Sequence, residues 1–268
     1  MCTLVVLSRP THPWPILIAA NRDEMLSRPW QAPGRHWPDR PDAVAGLDEL
    51  AGGSWFGVNR FGVVAGVLNR HGSLGPAPGM RSRGELVLDC LDHADAAEAA
   101  AALAHLDPRA YRSFNLVVAD NSAAFWLRNR GVESGAERIE RFPIPAGLSM
   151  ITAYDRNDVK SPRIAEYLPR IESAPVPDPE RGDWQAWQNL LADRGHAPPR
   201  ATPGDGADNR ETGMNVVTGF GFGTSSSSLL ALPSVERPTT QPIWLFAAGR
   251  PDEAAYLPVA LPFAPEAK

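Results

Sequence analysis

The sequence predicts an α+β protein built on antiparallel sheets, and three features carry that prediction. Short apolar runs rich in β-branched residues recur in pairs across turns, at 1–7 with 15–24, 54–58 with 62–68 and 113–119 with 123–128. In the middle pair apolar residues fill both alternating faces, as in a hairpin buried on both sides. Stretches with a 3.6-residue apolar period lie between and after the hairpins and suit helices laid over a sheet.

The first hairpin places chemistry as well as packing. Antiparallel pairing sets the start of its first strand beside the end of its second, so Cys2 comes next to Asn21, Arg22 and Asp23. Cys is small, so removal of Met1 is expected, leaving Cys2 with both a thiol and an α-amino group. The amine titrates near pH ~8 and a free thiol near ~8.5, so the amine can take the thiol proton and later hand it to a leaving group. Arg22 would favour the thiolate and Asp23 would hold the ammonium. The other reading of Cys2 is an ordinary core cysteine. Nothing like a signal peptide precedes it, so neither secretion nor a lipoprotein cysteine is expected.

The block Asn21-Arg22-Asp23-Glu24, followed by Ser27-Arg28-Pro29, resembles the motif that names the NRDE family, the transport and Golgi organisation protein family. The likeness extends through Met1-Cys2-Thr3-Leu4, Gly52-Gly53-Ser54-Trp55-Phe56-Gly57-Val58, Leu68-Asn69-Arg70, Ser82-Arg83-Gly84-Glu85-Leu86 and Phe114-Asn115-Leu116. That family is similar in turn to N-terminal-nucleophile hydrolases of the bile-salt-hydrolase and penicillin-acylase kind. The resemblance implies a four-layer αββα sandwich, taken here as one domain over 1–268. It also implies a catalytic set of Cys2, Asn21, Arg22, Asp23 and Asn69, with the Asn69 backbone N–H in an oxyanion hole. Read without the resemblance, Asn69 is equally a turn former after a strand.

Bulk properties narrow the class. At 268 residues, 43% hydrophobic and 21% charged, the chain has the composition of a soluble globular protein with a large core. A net charge of −5 argues against a general binder of nucleic acid or acidic membranes. The two cysteines, Cys2 and Cys90, give no disulfide framework, and Cys90 sits in an apolar helical stretch. No apolar run reaches the ~18 residues that span a bilayer, so a cytoplasmic protein without a transmembrane segment is expected. Lysine occurs only at Lys160 and Lys268, and with abundant Ala, Pro and Arg this suggests a GC-rich bacterial gene.

Along the rest of the chain, residues 28–41 read as a Pro-rich structured loop whose Trp30, His36 and Trp37 either wall a cleft or pin the loop to the surface. His36 has no companions at metal-ligand spacing. After a Gly/Pro loop at 72–79, Ser82 and Glu85 form a capping box before a helix over 83–92, with a second helix over 95–105. Further strands are expected at 138–142 and 148–152, a helix from Ser161 with Pro162 at its first position, a linker at 173–181 and a helix over 184–194. Residues 196–210 are the expected mobile loop. The glycines of 219–224 suggest phosphate binding only if a helix follows; the serine and leucine run after them favours a glycine hinge into a strand that pairs with 242–246.

Two positions depart from the family pattern. Met150 follows Gly147-Leu148-Ser149 where many members have the second oxyanion Asn, and Ser225 follows Phe222-Gly223-Thr224 where many have Arg. Asn157 and Ser226 are the substitutes the chain offers. The expected function is an N-terminal-cysteine hydrolase that cleaves an amide or thioester of a small hydrophobic acyl compound, with no cofactor. A binding or trafficking protein on the same fold is the alternative, for which the resemblance implies haem or acyl-coenzyme A. A purely structural module leaves a cysteine at position 2 unexplained.

Overall fold

The computed structural model describes residues 2–131, 134–195 and 209–261. Its first strands are β1 (Thr3–Ser8) and β2 (Ile16–Met25), followed by β3 (Trp30–Gly34) and β4 (Ala43–Asp48), then β5 (Phe56–Asn59) and β6 (Val64–Asn69). Helices α1 (Gly84–Leu91) and α2 (Ala96–Ala104) come next, with β7 (Phe114–Ala119), β8 (Ala124–Asn129), β9 (Glu140–Pro143) and β10 (Gly147–Ile151). The chain continues through α3 (Pro162–Ser173), α4 (Gln185–Leu191), β11 (Phe222–Leu232), β12 (Ile243–Ala247) and β13 (Tyr256–Pro258).

Among the described residues these strands form two antiparallel sheets. One has the order β10-β1-β2-β11-β12-β13 and the other runs β3 to β9 in sequence order. Strand alternation sorts their side chains into three apolar layers. Leu4, Val6, Ile16 and Ile18 meet Val44, Phe56, Val58 and Val64 between the sheets. Val5, Leu17 and Ala19 point the other way, onto Ile164 and Tyr167 of α3 and Trp187 of α4. Ala65, Leu116 and Val118 lie under Leu86, Val87 and Cys90 of α1 and Ala99 and Leu103 of α2. Helices therefore cover the outer face of each sheet, and the fold is the four-layer αββα sandwich.

The three hairpins expected from the sequence form, as does the pairing of β11 with β12. Ser161 caps α3 by accepting from Ile164 N–H, with Pro162 in the first turn. Gly221, at φ +82°, turns the chain into β11, so a strand and not a helix follows the glycines. The loop expected at 196–210 lies, for residues 196–208, outside the described residues.

Two expectations need correction. Residues 28–41 are not all loop, because β3 pairs with β4, with a register shift between Gln31 and Gly34. Pro33 is tolerated there because β3 is an edge strand and the ladder is already broken at that point. The capping box at Ser82 and Glu85 does not form. Ser82 Oγ accepts instead from Gly84 N–H at 3.2 Å, and Glu85 is drawn to Arg81.

One close approach sets the floor of the cleft described below. A Cβ on Gly53 would stand 2.5 Å from the backbone carbon of Gly84, and Ser54 N–H donates to Gly84 carbonyl at 3.0 Å. The start of α1 is thus laid directly on the strand-entry loop, and only glycine fits. Gly53→Ala should cost about 1–3 kcal/mol through overpacking. Urea unfolding measures this, and an unchanged midpoint would show that the contact is not tight.

Candidate active site

Strand alternation decides which side chains can meet. Thr3 pairs with Asn21, and continuing that register by one residue sets Cys2 opposite Arg22. On the other side of β2, Arg22 pairs with Ser226 of β11. Cys2, Arg22 and Ser226 therefore form a row across the face that looks at the second sheet, while Asn21 and Asp23 project to the opposite face.

The thiol meets Asp23 through its backbone. Asp23 N–H donates to Cys2 Sγ at 3.4 Å, and the thiol lies 3.6 Å from the Asp23 carbonyl oxygen. The expected neighbourhood of Cys2 and Asp23 is thus one of backbone, with the carboxylate turned to the other face, because residues flanking Arg22 cannot share its face. Nor does the guanidinium win the electrostatics. Burial first, and the Asp23 charge second, push the Cys2 thiol above its ordinary value, against the opposing Asp23 N–H and Arg22.

Arg22 is held on all sides. Its guanidinium lies over the Trp55 ring at 4.3 Å, donates to Ser225 Oγ at 3.1 Å and approaches Asp48 at 3.4 Å. A bulge between Thr224 and Ser226 makes room for Ser225 there. Asp48 also receives Arg28 at 2.6 Å, so one carboxylate serves two arginines. Cys2, Arg22, Trp55 and Asn69 line a common cleft of about 440 Å³. Trp30 reaches it only indirectly, packed edge-on against Trp55. His36 bonds to the Ala32 carbonyl within its own segment, and Trp37 donates to the Gly52 carbonyl of the loop between β4 and β5.

Behind the strand lies a buried clamp. Arg163 of α3 donates to the Asp23 carboxylate at 3.2 Å and to Thr3 Oγ1 at 2.6 Å, with side-chain exposures of only 2% for Arg163 and 0% for Asp23. Thr224 Oγ1 donates to the other Asp23 oxygen at 2.7 Å. Asn21 donates to the carbonyls of Leu191 and Met214, tying α4 and the chain before β11 to β2. Arg163 escaped the sequence reading, although it falls on the same helical face as Ile164, Tyr167 and Ile171, where a charge calls for a buried partner.

At the positions that depart from the family pattern, Met150 is fully buried against the outer helices, away from the row on the inner face. Asn157, at φ +56°, is turned back on β10, accepting from Met150 N–H and donating to Leu148 carbonyl. Ser226 is the substitute that shares a face with Cys2. Among the described residues no cluster of His, Cys, Asp or Glu could hold a metal ion, and no helix is long and apolar enough to cross a membrane.

A family model described as Transport and Golgi organisation 2 matches residues 1–161. The chain belongs to this family. A Bos taurus Transport and Golgi organization protein 2 homolog is 35% identical over 117 residues, and a Mus musculus homolog 32% identical over 116. The match spans 40% of the length of each of these relatives. Among solved structures, the chain resembles a Caenorhabditis elegans N-acylethanolamine-hydrolyzing acid amidase ortholog, with a TM-score of 0.53 and 14% identity over 85% of this chain and 92% of that one. Penicillin V acylase from Agrobacterium tumefaciens gives 0.52 and 12%, covering 92% of this chain and 83% of that one. These likenesses show the fold, that of the N-terminal-nucleophile hydrolases.

The family match ends at residue 161 and so includes the row's Cys2 and Arg22 but not the clamp's Arg163 and Thr224. Arg163→Met should remove the charge facing Asp23 and destabilise the protein by about 3–5 kcal/mol, as for other buried pairs broken from one side. Chemical denaturation reads this directly; a loss under about 1 kcal/mol would mean the pair is not a structural clamp.

Proposed function

We propose that this chain is an N-terminal-cysteine acyl hydrolase acting on an amide or thioester of a hydrophobic acyl compound. The observation that carries this is the seat of Cys2, at a strand start that opens into a cleft, beside a buried guanidinium. Met1 removal would place an ammonium on Cys2 itself and draw the raised thiol pKa down again. Sulfur then attacks the acyl carbonyl, and the C–S bond forms as the C–N or C–S bond to the leaving group breaks. The α-amine carries the thiol proton to that leaving group. Water attacks the acyl-enzyme: its oxygen bonds to the carbonyl carbon as the C–S bond to Cys2 breaks, a water proton passes through the α-amine to the sulfur, and the carboxylic acid leaves with the thiol regenerated. Asn69 N–H and Ser226 are the candidate oxyanion donors, Arg22 steadies the thiolate, and Asp23 and Asn21 position β2 from behind.

A carrier role for the same cleft, with haem or acyl-coenzyme A as occupant, is favoured by one observation, the upward pressure on the Cys2 thiol. Under that reading the sulfur need not ionise.

Intact mass and thiol labelling separate the two. Hydrolysis predicts a chain lacking Met1 whose Cys2 reacts with iodoacetamide at a pH about one unit or more below that of a chain retaining Met1. The chain retaining Met1 should label slowly near neutrality, with the rate rising as pH climbs through the raised thiol value. Acyl amides and thioesters should leave an acyl adduct that Cys2→Ala abolishes. A processed chain with an unreactive Cys2 and no adduct would rule out the enzyme, and ligand retention by Cys2→Ser would favour the carrier.

A further inference from the structure

The cleft carries a charge that its neighbours do not cancel. Its lining includes five arginines, Arg22, Arg28, Arg81, Arg83 and Arg112, against three acidic residues, Asp23, Glu24 and Asp48, of which Asp23 turns its carboxylate to the outer face, in a chain whose net charge is −5. Arg22 and Arg28 share Asp48, and Arg81 is paired with Glu85. Arg83 and Arg112 differ from these. Among the described residues neither forms an ion pair; both bond to backbone carbonyls. Arg83 Nη1 reaches the Ser73 and Ser113 carbonyls at 2.7 and 3.0 Å, and Arg112 reaches those of Leu74 and Gly72 at 2.5 and 2.9 Å.

Carbonyls satisfy N–H donors but carry no net charge, so two guanidiniums stand in one wall with no carboxylate in contact with either among the described residues. Burial, and then Arg112, pull Arg83 down to about 10 against a smaller upward pull from Glu24, in keeping with the absence of a carboxylate in contact with it. The hydrogen bonds also fix both forks, so little ordering remains to be done when a ligand arrives. Trp55 and Val67 of the same cleft supply apolar surface for the remainder of such a ligand.

We infer that Arg83 and Arg112 form a subsite for an anionic group, a carboxylate, sulfonate or phosphate, on the acyl compound that occupies the Cys2 cleft. This rests on the reading of that cleft as the substrate site. It adds a substrate class: acyl compounds bearing a negative charge, selected over neutral ones.

The test uses the full chain carrying Cys2→Ala, so that binding is measured without turnover. Four probes are compared by calorimetry: N-dodecanoylglycine, N-dodecanoyltaurine, N-dodecanoyl-O-phosphoethanolamine and the neutral N-dodecanoylglycinamide. At least one anionic probe should bind about tenfold or more tightly than the neutral one at low salt, with the preference shrinking as salt rises. The tightest headgroup identifies which anion the subsite takes. Arg83→Gln and Arg112→Gln should each erase the preference while leaving affinity for the glycinamide in place, and Arg112→Lys should keep most of it.

Equal affinities for all four probes, no binding of any anionic probe, or a preference surviving both glutamine variants would overturn the subsite. If the glutamine variants melt early, the salt dependence and competition by inorganic phosphate on the Cys2→Ala chain decide instead: competition supports the subsite, and its absence overturns it. Failure of the hydrolase reading looks different. It removes the Cys2 adduct in the unsubstituted chain and leaves the anionic preference intact.

Discussion

The pairing of β1 with β2 in one register governs the rest of the molecule. Thr3 opposite Asn21 sends Cys2 and Arg22 to the inner face and Asn21 and Asp23 to the outer one. A slip of one residue would reverse every one of these assignments and expose the apolar set of both strands. Such a slip is opposed from both sides, because Leu4, Val6, Ile16 and Ile18 fill the space between the sheets while Val5, Leu17 and Ala19 fill the space under the helices. Packing of the core and placement of the thiol are thus a single constraint.

Around that strand pair the site is built in two tiers. The inner tier faces the cleft and is electropositive, with Arg22 fixed by Trp55, Ser225 and Asp48. The outer tier is buried and built on an ion pair, with Arg163 and Thr224 on Asp23 and the Asn21 amide on two backbone carbonyls. An unpaired charge in that outer tier would be costly, whereas charge at the cleft wall is partly open to solvent and to whatever binds. This explains why the residues flanking Arg22 in sequence serve holding roles behind the strand. The glycine contact between Gly53 and Gly84 completes the frame by bringing the start of α1, with Arg83, down onto the cleft floor.

Much of this is legible in the sequence. Hairpins reveal themselves through alternation and turns, and Cys2 could be placed near Arg22 because antiparallel pairing is local geometry. Less legible was β3, whose Pro33 argues against a strand unless one knows that it lies at a sheet edge. Ser82 likewise offered a capping box, but the backbone contact with Gly53 and the attraction of Glu85 to Arg81 took its place. Both outcomes depend on distant partners that no local pattern encodes.

The amino-acid sequence by itself determined the antiparallel α+β character, the hairpin that carries Cys2 beside Arg22, and membership of a family, because these follow from short-range periodicity and residue identity. Tertiary structure alone decided that the Asp23 carboxylate turns away from the thiol toward Arg163, 140 positions along the chain. It alone also decided that burial raises the thiol pKa despite Arg22, and that Arg83 and Arg112 face one cleft with no ion-pair partner among the described residues. The physical reason is common to all three. Side-chain direction, desolvation and charge balance are set by what packs across the sheets, and those neighbours come from segments far apart in the chain.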